Sequence, residues 1–305
     1  MSYVYSPLRY PGGKSQLYNF IYHTFVINEL TDIRYCEPFC GGAGVAMKLL
    51  EQGNIESVIL NDADIAIYSI WRAILGDTDQ FLSKIQTIPI TLREWETQRS
   101  IYESLKNSKV YSFDLGFATF FLNRTNRSGI IEGGPIGGKA QQSKYKIDCR
   151  FNRADLCKKI TSIYEHKGKI TIYHLDALDF INQILKHDSR INFTFFDPPY
   201  YQQGQNLYKN GLSKQYHSDL AKVIHSLDNR PWILTYDEIS DVKNLYSDIK
   251  GWSYELLYSA QIKRKESELL YASSELKVES YGNVHLMPLN NKRQAEPRII
   301  LDGEC

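Results

Sequence analysis

The sequence predicts an α/β protein: a doubly wound, mainly parallel sheet interrupted by a long, mainly helical insertion. Three observations carry this expectation. Residues 34–39 form a β-rich run that meets the glycine cluster Gly41-Gly42-Ala43-Gly44, and helical residues 45–50 lead to a second β-rich run, 57–61, ending at Asp62. Strand, glycine turn, helix and strand open a doubly wound sheet. Further β-rich runs follow at 169–174, 191–196 and 231–236, each with helix or loop material after it. Between Asp77 and Lys169 the rhythm changes to helical spacing, with Trp95, Tyr102 and Leu105, then Leu115, Ala118 and Phe121.

Within that insertion, residues 131–150 are rich in glycine and lysine, with Gly133-Gly134-Pro135 and Gly137-Gly138. Paired glycine turns between short polar runs favour a hairpin or loop over a helix. The C-terminal part from Trp252 to Leu301 reads as β-rich, with strands expected at 254–262 and 269–272. At 305 residues the chain suits one domain of roughly 200 residues with an inserted subdomain. The expected division is 1–76 with 169–305 as one unit and 77–168 as the insertion.

Composition narrows the class. Hydrophobic residues make up 43% and charged residues 23%, which excludes a disordered or fibrous chain. No apolar run approaches the roughly 18 residues that a membrane span requires, and the N-terminus lacks the apolar stretch of a secretory signal. Five cysteines, Cys36, Cys40, Cys149, Cys157 and Cys305, form no C-x-x-C pair and are odd in number, so neither a disulfide framework nor a zinc or other metal site fits. A soluble, cytoplasmic protein without a membrane partner is expected. The net charge is +1, but its distribution is uneven: residues 124–169 hold 11 Lys/Arg against 4 Asp/Glu, so the rest of the chain is net negative. A basic stretch on a slightly acidic body suits a localised polyanion contact, although a solvated face with scattered lysines gives the same count.

The chemistry concentrates in Asp197-Pro198-Pro199-Tyr200, after the hydrophobic run 191–196. Ligands bind outside the carboxyl ends of strands in open α/β sheets. Two successive prolines fix φ and remove two backbone donors, so the Asp197 and Pro198 carbonyls can face a cleft without competing hydrogen bonds. A carboxylate, a carbonyl and a flat aromatic face suit an exocyclic amine on a nucleobase. Its lone pair is delocalised into the ring; acceptors for both N–H bonds favour a tetrahedral nitrogen whose lone pair faces an electrophile, and they stabilise the positive charge that develops. Tyr200 would hold the ring by stacking, worth roughly 1–3 kcal/mol per base. The structural alternative is a strand-terminating loop in which the prolines stop the strand and Tyr200 packs.

A second constellation is Glu37-Pro38-Phe39-Cys40-Gly41-Gly42-Ala43-Gly44, with Asp62 at the end of the next strand. Glycines after a first strand allow close approach of a ligand, and an acid about 20 residues on accepts from ribose hydroxyls. A nicotinamide cofactor shares that pattern. However, the glycine spacing is not G-x-G-x-x-G, and Glu37 would repel a pyrophosphate while accepting from an ammonium group. S-adenosylmethionine, an adenosyl ligand carrying an amino acid, fits better. The third constellation is Arg9-Tyr10-Pro11-Gly12-Gly13-Lys14-Ser15. It lacks the leading glycine and strand of a phosphate loop. Lys14 can grip a carboxylate or a DNA phosphate, or the turn simply starts a helix.

With these motifs in place, the chain resembles the Dam-type DNA adenine-N6 methyltransferases. The resemblance runs in order through Tyr10–Lys14, Glu37–Gly44, Leu60-Asn61-Asp62, Phe121-Leu122-Asn123-Arg124, Asp197–Tyr200 and Glu268-Leu269-Leu270. It implies a Rossmann-like methyltransferase sheet with an inserted, mainly helical DNA-recognition subdomain containing a hairpin or loop. It implies S-adenosylmethionine as cofactor, contacting Tyr10, Lys14, Glu37, Phe39, Gly41, Gly44, Asp62 and Asp197, with Asp176 near the cofactor adenine. Catalysis is expected at Asp197, Pro198, Pro199 and Tyr200, on a base flipped out of double-stranded DNA.

For DNA contact the resemblance points first to Arg124, Asn126, Arg127 and Ser128 in the turn 122–129. Lys139, Lys144, Lys146, Arg150 and Arg153 are expected on phosphates. After Gly129, where GATC-methylating relatives carry a basic residue, Ile130-Ile131 lead to Glu132, which can accept from cytosine N4 or stand exposed. Tyr216-His217 either close over the flipped base or begin the next helix. The resemblance implies a bacterial or phage-encoded site-specific enzyme and admits a cognate restriction endonuclease as partner, acting as monomer or homodimer. Cytosine N4 as the target, or a non-catalytic DNA-binding module keeping the fold, are the alternatives; an oxidoreductase is more distant.

Overall fold

The computed structural model describes residues 5–9, 14–201, 212–227, 230–259 and 263–289. Eight strands make one sheet: β1 (Arg34–Glu37), β2 (Ser57–Asn61), β3 (Ile170–Tyr173), β4 (Phe193–Phe196), β5 (Trp232–Asp237), β6 (Gly251–Ser259), β7 (Lys263–Ala272) and β8 (Met287–Pro288). Their order in space is β3-β2-β1-β4-β5-β7-β6-β8. The first five are parallel, and β7, β6 and β8 join antiparallel. Because β1 lies between β2 and β4, the chain leaves it in opposite directions along the sheet. A crevice therefore opens past the carboxyl ends of β1 and β4, where such sheets bind ligands.

The strands form where the sequence is apolar at successive positions, since both faces of the sheet are covered. Tyr35, Val58, Leu60, Phe193, Phe195 and Ile233 belong to the core on one face. Cys36, Ile59, Phe196, Leu234 and Tyr236 belong to the core on the other. The first face is covered by α1 (Tyr18–Ile27), α2 (Gly44–Glu51) and α3 (Ile65–Gly76). The second is covered by α8 (Ala177–Phe180), α9 (Lys214–His225) and α10 (Ser240–Leu245).

Between α3 and β3 come α4 (Thr78–Thr87), α5 (Leu92–Leu105), α6 (Phe113–Thr125) and α7 (Arg153–Glu165). Side-chain caps start three of them: Thr91 accepts from Glu94 N, Ser112 from Leu115 N and Asn152 from Asp155 N. Residues 115–123 of α6 are all buried, so its apolar residues run around the helix rather than along a stripe. At its crossing with α3, a Cβ on Gly116 would lie 2.4 Å from the Ser69 carbonyl oxygen, so only glycine allows the approach. The core of these helices is continuous with that on the first sheet face. Residues 130–152 form turns, with an isolated antiparallel bridge between Asn126 and Pro135. The expected loop therefore forms there without a regular hairpin.

The strand expected at 254–262 is β6 as far as Ser259, with 260–262 outside the described residues; it starts earlier because Gly251 and Trp252 pair with Tyr271 and Leu270. Among the described residues no helix is long and apolar enough to cross a membrane.

Candidate active site

β4 delivers Asp197 to the crevice with its side chain 23% exposed. Its Oδ1 accepts the Thr235 hydroxyl at 2.9 Å and lies 3.1 Å from Lys14 Nζ. Among the described residues, neither Asp197 Oδ2 nor the Pro198 carbonyl takes a hydrogen bond. Two acceptors thus remain for a ligand. Burial raises the Asp197 carboxyl above its ordinary range; Lys14 opposes that rise and Glu268 adds to it.

Tyr200 is held at its hydroxyl. It donates to Glu268 Oε1 at 2.6 Å and accepts from Lys14 Nζ at 2.6 Å. Lys14 Nζ is 4.8 Å from the ring centroid, which puts the ammonium off the hydroxyl end rather than above the ring. The next residue is also fixed: Tyr201 N donates to Asp237 Oδ1 at 3.0 Å, and its ring packs 4.7 Å from that of His217. Tyr216 and His217 lie in the first turn of α9, so they begin that helix. His217 is buried against the Tyr236 hydroxyl at 2.7 Å, while the Tyr216 hydroxyl donates to Asp176 Oδ2 at 2.9 Å.

The glycine turn sits at the end of β1. Glu37 is buried and accepts the Tyr35 hydroxyl at 3.0 Å. Burial pushes its carboxyl up to about 8. Asp62 bridges the turn, accepting from Gly41 N at 2.9 Å and from Asp64 N at 2.9 Å, and burial pushes it up to about 7. Gly41 adopts φ +44°, and its carbonyl accepts the Trp71 indole N–H at 2.9 Å. Gly44 meets protein rather than open crevice, because a Cβ there would fall 2.2 Å from Ser15 Oγ. Phe39 is partly buried against the second core. Asp176 caps α8 through Leu178 N at 2.9 Å and is exposed. Asn61 ties the loops together, donating to the Pro38 and Leu175 carbonyls and accepting from Leu175 N, each at 3.0 Å. Tyr10 lies outside the described residues.

The residues expected on DNA divide into two groups. Asn126 is fully buried: its amide donates to the Ile130 and Ile131 carbonyls and accepts from Trp95 Nε1. It shapes the turn and does not reach outward. Arg124 spends its guanidinium on the Arg150 and Pro7 carbonyls; burial, with Arg9 and Arg150 nearby, lowers it to about 10. Arg153 likewise binds the Ile85 and Ile88 carbonyls. In contrast, Arg127, Lys139, Lys144, Lys146 and Arg150 are exposed. Ser128 is half-buried at φ 55°, and Glu132 lies 3.4 Å from Lys106 Nζ.

Asn123 binds both Arg9 N and Arg9 O at 2.8 Å and Gly129 O at 2.9 Å, so the Leu-Asn-Arg…Gly turn clamps the segment that leads to Lys14. Asn61, Trp71, Asn123, Thr235 and Tyr254 were not singled out by sequence. Asn61 and Asn123 at least lie inside recognised motifs; the other three become visible only once the strand order is known.

A family model of the D12 class N6 adenine-specific DNA methyltransferases matches residues 10–265. No curated protein matches the chain. Among solved structures, a putative RNA methyltransferase from Pyrococcus horikoshii aligns at TM-score 0.41 and 9% identity, over 87% of this chain and 84% of that one. An rRNA methyltransferase from Streptomyces viridochromogenes aligns at 0.38 and 13%, over 87% of each. The family match spans the glycine turn, the helices after β2 and the Asp-Pro-Pro-Tyr corner alike, and the chain belongs to the D12 class of N6 adenine-specific DNA methyltransferases.

Proposed function

We propose that the crevice binds S-adenosylmethionine and that Asp197 Oδ2 and the Pro198 carbonyl hold adenine N6 for direct methyl transfer in double-stranded DNA. The observation that carries this reading is the pair of acceptors at the end of β4 that have no partner among the described residues, beside an aromatic ring anchored by its far end. The donor set fits the cofactor. Glu37 is buried, no cation pairs with it among the described residues, and its carboxyl is raised to about 8, so an ammonium group would restore its charge. Asp62, raised to about 7, is the acid that accepts from the ribose in this reading. When bound, S-adenosylmethionine supplies a methyl group on a positively charged sulfur. The protein's part is to hold the amine so that its lone pair faces that carbon, with Asp197 stabilising the charge that develops on nitrogen. Tyr200 stacks on the base, and flipping the base from the duplex costs a few kcal/mol.

Residues 1–76 and 169–305 form the catalytic part in this reading, and 77–168 reads the target site. Arg127, Ser128, Lys139, Lys144, Lys146 and Arg150 are its candidate DNA contacts. Burial, and then the neighbouring Arg150, disfavours the charges of Arg9 and Arg124, which a phosphate nearby would relieve. The experiment is transfer of a labelled methyl group to mixed-sequence DNA, followed by digestion to nucleosides. N6-methyladenine as the labelled product supports the reading; N4-methylcytosine, or no labelled base, contradicts it.

A further inference from the structure

Lys14 is the buried cation beside Asp197, yet it does not belong to Asp197 alone. Its side chain is 2% exposed, and Nζ lies 3.1 Å from Asp197 Oδ1, 3.4 Å from Glu268 Oε1 and 2.6 Å from the Tyr200 hydroxyl. Glu268, on β7 and 2% exposed, accepts the Tyr200 hydroxyl on Oε1 and the Tyr254 hydroxyl on Oε2, both at 2.6 Å. Two carboxylates therefore share one ammonium in a buried site.

We propose that Glu268 is a positioning residue for methyl transfer: it draws Lys14 partly away from Asp197 and pins the Tyr200 ring, leaving Asp197 with an uncompensated charge for the amine. The proposal deepens, and rests on, the assignment of Asp197 as the acceptor for N6. Physically, an ammonium shared between two acids neutralises neither fully, so the cluster stays net negative where positive charge develops. A single Lys14–Asp197 pair would instead be neutral and would hold the carboxylate in place. Asp197 also faces Glu37 and Tyr35 from β1 and Tyr236 from β5, none of which supplies a cation. Glu268 raises the Asp197 carboxyl while Lys14 lowers it, so the two substitutions have opposite signs.

The test compares wild type, Glu268→Gln, Lys14→Met and Tyr254→Phe. The titration of Asp197 is read by carboxyl-carbon NMR in the ligand-free protein, and kcat and cofactor affinity are read separately. Glu268→Gln is expected to move the Asp197 midpoint down by about one pH unit and Lys14→Met to move it up by a similar amount. Tyr254→Phe, which removes a hydrogen bond and no charge, should leave it in place. Glu268→Gln should lower kcat by about tenfold while cofactor affinity stays within about threefold. An Asp197 midpoint unmoved by Glu268→Gln overturns the proposal; if that variant does not fold, an unmoved midpoint in Lys14→Met does the same. Failure of the wild type to methylate adenine would overturn the assignment of function, while the Asp197 titrations still decide the charge sharing.

Discussion

At the scale of single residues, the site is built from acids kept out of water. Glu37 and Asp62 are raised to about 8 and about 7 by burial. Their protonated forms stabilise the ligand-free fold, fully so below their ordinary values of 4.5 and 3.8, and that contribution is lost as pH rises through about 7 to 8. Buried His217, lowered from 6.5, works the other way, so part of the loss is offset below that value. The expected outcome is a melting temperature of the ligand-free protein that falls between pH 6.5 and 8, with the fall reduced in Glu37→Gln to the part that Asp62 contributes. Cofactor affinity should rise over the same interval, because the ammonium group needs ionised Glu37 and binding below about pH 8 must expel its proton. Glu37→Gln should weaken binding by roughly tenfold to a hundredfold, the worth of about 1.5–3 kcal/mol for a hydrogen bond to a charged group. Calorimetry in buffers of different ionisation heat checks both, and an affinity independent of pH would count against Glu37 as the ammonium partner.

At the scale of elements, the turn after α6 is a fastening device as much as a candidate DNA reader. Asn123 grips Arg9 at both its backbone groups, and a Cβ on Gly129 (φ +79°) would sit 2.1 Å from the Arg9 carbonyl. The segment so held leads to Lys14, which reaches Asp197 and Glu268. Replacing Asn123 with Ala removes three hydrogen bonds, one buried and two part-buried, and is expected to cost about 3 kcal/mol of stability, measured by denaturant unfolding. The loop 130–152 carries a separate expectation. Lys144→Ala with Lys146→Ala should flatten the dependence of DNA affinity on salt by about 0.9 per lost phosphate contact and leave cofactor binding unchanged. An unaltered salt slope would return those lysines to ordinary surface residues.

At the scale of the whole molecule, the parallel core and the Asp-Pro-Pro-Tyr corner were legible in sequence because their signals are local. A strand buried on both faces is largely apolar, as Phe193, Phe195 and Phe196 around Thr194 show, and a strand end followed by two prolines announces itself. The glycine turn was legible for the same reason. What stayed hidden depends on contacts between distant parts of the chain. Lys14 offered itself as a grip for a carboxylate or a phosphate, and only the position of β7 between β5 and β6 brings Glu268 to it. Asn126 reads as a polar residue in a basic turn, yet Trp95 from α5 and the carbonyls of Ile130 and Ile131 enclose it. Arg124 and Arg153 were counted as free charges because sequence cannot show which carbonyls they satisfy.

The most direct measurement is single-turnover methyl transfer by Asp197→Ala, with cofactor binding measured on the same preparation. Transfer is expected to fall by at least about a hundredfold, the usual loss when a preorganised transition-state partner is removed, while the cofactor still binds. Transfer at the wild-type rate would mean that some other group holds the amine.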